Sequence, residues 1–198
     1  MKRLKQFLQP KKREKVCQLC SEPIGADHSH VVQLDSRRIL CSCRPCYLLF
    51  TSKKTGRFRA VPDRPRRLNG FRLRPSVWER FNIPVGVAFF FFNSNQQRVM
   101  AFYPSPAGAI ESTLDLGAWD EVANQNSVLK DMTPDVEALL VKRGEEGFSC
   151  YLVPVTTCYE LVGRIRLRWS GLGGGNEVRR EISDFFSSLD KRVEESVA

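Results

Sequence analysis

Two short cysteine clusters constrain this chain more than any other feature. CQLC occupies residues 17–20 and CSCRPC residues 41–46, so a C-x2-C pair is followed, after 22 residues, by a second C-x2-C pair. In a C-x2-C turn both sulfurs converge on one point while backbone N–H groups face them. Two such turns complete the closed tetrahedral thiolate site of structural zinc. The spacing nominates Cys17, Cys20, Cys43 and Cys46 as ligands of one metal ion. Zinc is the expected ion. Rubredoxin-type iron and Fe–S clusters also use four thiolates and stand as alternatives.

The choice of Cys43 over Cys41 rests on the residues next in the chain. CRPC runs into YLLF, an apolar stretch that reads as the start of a helix, and Pro45 is tolerated in a first helical turn. Cys43 and Cys46 then sit where the helix dipole favours thiolates. HSHVVQLD and RRILCS can pair as strands between the clusters. Knuckle, hairpin and ligand-bearing helix make a treble-clef module, with a zinc ribbon as the close alternative. Cys41, two positions before Cys43 on a strand, shares its face. Three readings of that thiol stand: a small buried or free thiol beside the site, a ligand replacing Cys43 in C-x4-C spacing, or part of a second metal or redox site with His28 and His30. Those are the only histidines in the chain. They share a strand face, and imidazole suits zinc, copper, iron and nickel. Equally, they fit as hydrogen-bonded supports of the first site or as exposed side chains.

Cysteine clusters mean metal or redox work in a reducing compartment, and the chain is read as cytoplasmic. MKRLKQFLQPKKREKV is basic but has no apolar core or cleavage site for secretion. The longest apolar run, IPVGVAFFFF, has ten residues, against the roughly 20 that cross a bilayer. The net charge of +9 is uneven: residues 1–74 carry 19 Lys/Arg and 5 Asp/Glu, residues 75–198 carry 12 and 17. A basic half of this kind can meet nucleic acid, an acidic protein or an anionic membrane. A basic linker lying against the acidic body accounts for the same charges.

Along the chain, residues 1–16 read as a flexible basic arm, 17–56 as the cysteine-rich metal-binding module, 57–74 as a basic linker with at most one short strand, and 75–198 as an α+β domain. RPSVWERFN opens that domain with a short helix. VGVAFFFF and RVMAFYP form one hairpin, with the phenylalanine run covered on both faces. PSPAG at 104–108 reads as an exposed loop. LGAWDEVANQNSVLKDM contains a short helix, and VEALLVKR with FSCYLVPV forms a second hairpin. TTCYELVGRIRLRW is helical, with Thr157 and Glu160 at capping-box spacing and an apolar stripe through Cys158, Leu161, Val162, Ile165 and Trp169. GLGGG ends it, and Asn176 caps a last helix with Val178, Ile182, Phe185, Phe186 and Leu189 on one face. The expected fold is a small treble-clef or zinc-ribbon-like module followed by an antiparallel sheet with helices on one face.

Catalytic signals are missing. GLGGG follows a helix and lacks the G-K-[ST] ending of a phosphate loop. No histidine lies outside the module for acid–base work, and the spacing of Glu111, Asp115 and Glu137 singles out no pair. Cys150 and Cys158 read as core residues. Arg164, Arg166 and Arg168 read as a solvated face or a patch for an acidic partner.

The ordered string C-x2-C, H-x-H, C-x-C-x2-C, VPDRPRRL, IPVGVAFFF, AFYPSPAG, PDVEALLV, YLVPVTTCYELVGRIRLRW and GLGGG resembles an uncharacterised bacterial family over roughly residues 17 to 190. Its members are often encoded beside nickel–iron hydrogenase structural and maturation genes. The resemblance matches Cys17, Cys20, His28, His30, Cys41, Cys43 and Cys46 as a set and supplies no catalytic residue. It implies a genomic context rather than an activity; joined to the zinc site read from spacing, the expected protein is a non-enzymatic accessory or assembly factor whose partner is a hydrogenase subunit or maturation factor. A zinc-dependent nucleic-acid binder and a rubredoxin-like or Fe–S electron carrier are the alternatives.

Overall fold

The computed structural model describes residues 15–52, 56–113, 115–169 and 175–195. Strand β5, Val87–Asn93, organises the body. Successive side chains of a strand point to opposite faces, so Phe89 and Phe91 enter one core while Ala88 and Phe90 enter another. Phe91 stacks on Phe102 at 5.6 Å between ring centroids, and Phe90 on Trp119 at 5.4 Å. Fully burying such a ring is worth about 1.5–3 kcal/mol, so a run of phenylalanines is a good strand only when both faces are covered. Both are.

The first hairpin joins β5 to β6, Arg98–Ser105, and the second joins β8, Glu137–Arg143, to β9, Phe148–Pro154. An antiparallel pairing of β5 with β8 fuses the hairpins. With β4, Arg66–Arg67, and β7, Gly108–Ser112, they form a six-stranded sheet in the order β4-β9-β8-β5-β6-β7. The loop read at 104–108 is corrected, because Pro104 and Ser105 are buried in β6 and Gly108 opens β7. PSPAG is the tight return from β6 to β7. Ser105 Oγ donates to the Gly108 carbonyl at 2.9 Å, and the positive φ of Gly108, 118°, suits a residue without Cβ.

Helices α4, Val155–Arg168, and α5, Gly175–Glu195, cover one face of the sheet. Their expected stripes, including Leu161, Ile165, Phe185 and Leu189, pack on Phe89, Phe91 and Leu140. The opposite face is closed by the short helices α2, Pro75–Arg80, and α3, Leu116–Gln125. These place Val77, Trp78, Trp119 and Val122 against Phe90 and Leu139. Two capping expectations fail. Helix α4 begins directly at the end of β9 with Pro154 as its N-cap, so Thr157 lies buried inside the first turn and forms no capping box. Helix α5 begins at Gly175, which puts Asn176 within the helix rather than at its cap. The expected terminator GLGGG lies outside the described residues up to Gly174, as does the basic arm up to residue 14.

The segment 57–74 carries two strands. Strand β3, Phe58–Ala60, pairs with β1, Ser29–Gln33, which also pairs with β2, Arg38–Ser42; the result is a three-stranded sheet. Strand β4 pairs with β9 of the large sheet. Arg59 meets Asp135 at 3.0 Å, Arg67 meets Asp190 at 3.2 Å, and Arg74 pairs with Glu121. Asn126 clamps the same segment through both backbone groups of Arg72, at 2.7 and 2.9 Å. Val32 and Val61 join the core beneath α4 and α5, so module and body share one apolar interior.

Tyr151 on β9 locks α5 to the sheet. Its hydroxyl donates to Asp190 Oδ1 at 2.8 Å, the same oxygen that Arg67 reaches. Burial, and then the bond to Asp190, push this hydroxyl from 10.0 up to about 12. The folded state therefore resists ionisation. The stability is fully present below pH 10 and is lost as pH rises through about 12. Tyr151→Phe is expected to cost about 1 kcal/mol at neutral pH and to flatten the loss of stability in that alkaline window, as measured by urea unfolding of both proteins across it.

Candidate metal centre

The first cysteine pair lies in a knuckle closed by its own backbone. Cys17 N–H donates to the Glu22 carbonyl at 2.7 Å, Ser21 N–H to the Cys17 carbonyl at 2.8 Å, and Val16 bridges Pro23. The second pair opens helix α1, Arg44–Leu48, with Cys43 as N-cap and Pro45 in its first turn. Knuckle, hairpin and ligand-bearing helix follow the treble-clef order.

Cys17, Cys20, Cys43 and Cys46 converge, with all four sulfurs within 4.8 Å of one another and Cys20 Sγ 3.6 Å from Cys43 Sγ. Backbone N–H groups face them as the spacing predicts. Burial pushes the Cys17 thiol up, but N–H groups of Cys43, Leu19 and Cys20 outweigh it and bring the thiol from 9.0 down to about 6. Cys46, crowded first by Cys20 and Cys43, is pushed up to about 12. One thiol thus ionises readily while another resists, as expected of a cluster that cannot hold several negative charges at contact unaided. A cation removes the conflict by drawing all four to thiolates. The donor set fits a metal ion, and this group could hold one.

Cys41 lies outside that group. Its sulfur falls with ring nitrogens of His28 and His30, all three within 4.8 Å of one another. Cys41 stands opposite His30 across the β1–β2 ladder, and the rings of His28 and His30 are 4.7 Å apart. His28 Nδ1 lies 3.0 Å from the Gly25 carbonyl and 2.9 Å from that of Ala26. A carbonyl only accepts, so Nδ1 carries a proton, and in the neutral ring Nε2 carries the lone pair. That Nε2 is sealed from solvent and has no hydrogen-bond partner. Burial, with His28 and Lys15 adding to it, holds His30 below the usual histidine range.

Both histidines line a cleft of about 970 Å³ between the module and the helical face, where Arg44, Tyr47, Tyr159 and Glu160 also meet. One residue of the centre carries no advance signal in the sequence. Gln18, inside the CQLC knuckle, donates its N–H to the Cys41 carbonyl at 2.8 Å and accepts the Cys41 N–H on Oε1 at 2.8 Å. Only the tertiary fold brings those partners together.

The residues expected elsewhere have structural positions. Cys150 and Cys158 are buried, and burial pushes the Cys150 thiol up to about 12 and that of Cys158 higher still. Asp115 caps α3, Glu111 pairs with Arg98, and Glu137 accepts from the Thr133 N–H. Arg164 and Arg168 meet Glu181, tying α4 to α5. Among the described residues no helix is long and apolar enough to cross a membrane.

Fold and site together define an α+β protein with an N-terminal four-cysteine module able to hold a metal ion. The chain belongs to the Family of unknown function (DUF5947), whose model matches residues 16–193. No curated protein and no solved structure matches it.

The difference in burial gives a test. In the reduced protein stripped of metal, the exposed Cys20 is expected to react with iodoacetamide first and to be protected when metal is restored. Cys150 and Cys158 should stay unmodified until denaturant is added. Peptide mass spectrometry reads both, and early labelling of Cys158 would contradict the core described above.

Proposed function

We propose that the protein holds one structural zinc ion through Cys17, Cys20, Cys43 and Cys46 and acts as a non-enzymatic accessory or assembly protein that docks a protein partner. The observation that carries this reading is the convergence of four thiols, with Cys20 and Cys43 sulfurs 3.6 Å apart. Four protein ligands leave a tetrahedral ion no position for substrate, which is the mark of a structural site. Bound zinc would link the knuckle to α1 and draw the thiols to thiolates. The family resemblance carried by the motif string from CQLC to GLGGG implies nickel–iron hydrogenase subunits or maturation factors as the partner, in the cytoplasm.

The use of the linker charge bears on the nucleic-acid alternative. Arg57, Arg59, Arg67 and Arg74 all pair with carboxylates of this chain, which favours a basic segment that binds its own body. A surface dominated by free Lys and Arg along one face would have favoured a phosphate backbone instead.

Protein purified without oxygen and without added metal is expected to carry one tightly held zinc per chain and no visible colour. Immobilised protein should retain a purified hydrogenase subunit or maturation factor when salt is raised. Iron with thiolate charge-transfer bands would replace this reading with the electron-carrier one. Tight binding to duplex DNA that weakens steeply with salt, with no hydrogenase component retained, would replace it with the nucleic-acid one.

A further inference from the structure

We propose that His28, His30 and Cys41 form a second metal site, distinct from the four-thiol group, that binds a borderline transition-metal ion through three protein ligands and keeps one coordination position for a small ligand from the adjoining cleft. It shares no ligand with the four-cysteine site and does not depend on which metal that site takes.

The donor set is the first argument. Two imidazoles and a thiol within 4.8 Å of one another suit zinc, cobalt, nickel or copper rather than calcium or magnesium, which take oxygen. The strand ladder makes His30 and Cys41 cross-strand partners, and His28, just before β1, brings its ring within 4.7 Å of that of His30. The second argument is the state of His28. Its Nδ1–H is spent on the carbonyls of Gly25 and Ala26, which fixes the ring and its tautomer. That is how metal-bound histidines are held by their outer neighbours. Its Nε2 lone pair is buried without a donor. Leaving a buried acceptor unsatisfied is unfavourable, and native proteins rarely do so without a reason. A bound cation supplies one.

The third argument is the wall. His28 and His30 line the cleft of about 970 Å³ and Cys41 does not. Among the described residues the group has three members and no fourth His, Cys or carboxylate within the same radius. Three protein ligands with an exchangeable fourth position distinguish a working site from a closed one. Lys15, Arg44 and Arg192 in the same cleft stand beside Asp27, Asp63 and Glu160, so its charges balance and do not select the sign of the incoming ligand. On metal binding the Cys41 proton leaves to solvent and no electron moves.

The test is a Co²⁺ titration of the full-length, tag-free, metal-stripped protein under reducing, oxygen-free conditions, read by its visible spectrum and by metal content. The expected result is two ions per chain. The first has four-thiolate charge transfer and is lost in Cys17→Ser. The second has a weaker thiolate band and is lost in Cys41→Ser and in His28→Ala. Removing a direct ligand should weaken the second site by more than the roughly 10–100-fold that loss of an outer-shell support costs, with the first spectrum intact as proof of folding. Azide should shift only the second spectrum. One ion in the wild type, or a second ion unaffected by both His28→Ala and Cys41→Ser, would overturn the site. A second spectrum unmoved by azide would overturn its open position. If only the first ion is missing, the four-cysteine reading fails and this one stands.

Discussion

Four thiols brought to contact cannot all ionise unless a cation sits among them, and the N-terminal third of the chain is arranged around that fact. The two strands of the module are short, five residues each, and it buries few side chains of its own. Small folds of this size depend on something besides apolar burial, most often disulfides or a metal. Here it is the sulfur cluster on one side and the shared core through Val32 and Val61 on the other. The module is therefore fastened by packing, and a metal ion held by the four thiols would fasten it a second time.

The charge asymmetry has a mechanical use. Arginines of the segment 57–74 reach Asp135 and Asp190 in the body, while its backbone extends both sheets in turn through β3 and β4. The exposed Arg67–Asp190 pair contributes little, about 0–1 kcal/mol, while Arg59–Asp135 is largely shielded from solvent. Their value lies in fixing the path of a segment that has few apolar residues to anchor it. Asn126, which holds Arg72 through both backbone groups, does the same without charge.

Much of this was legible in residues whose neighbours are local. The C-x2-C spacing identified the thiol group, the phenylalanine run marked a strand covered on both faces, and the stripes of α4 and α5 identified their buried sides. What escaped reading depends on partners far away in sequence. Strand β7 is short and half exposed, so its pattern is weak until β6 lies beside it. Strands β3 and β4 sit in arginine-rich sequence that propensity does not mark as strand. The Thr157–Glu160 spacing suggested a cap, but β9 runs without a break into α4 and buries Thr157 in the first turn. Cys41 was visible as a surplus thiol. Its membership of the histidine group rather than the four-thiol group depends on the β1–β2 register, which spacing alone does not give.

The reciprocal bonds between Gln18 and Cys41 impose an order of assembly. They connect residues 23 apart, so the locally closed CQLC knuckle gains its Gln18 bonds only once β2 is in place. A chain emerging from the ribosome exposes CQLC well before CSCRPC, and in that interval an ion can be held by two sulfurs at most. Four-thiol binding of an ion would have to wait for the hairpin to close. From then on the strand that delivers Cys43 also carries Cys41 to the histidines, so the two groups are completed by one folding event.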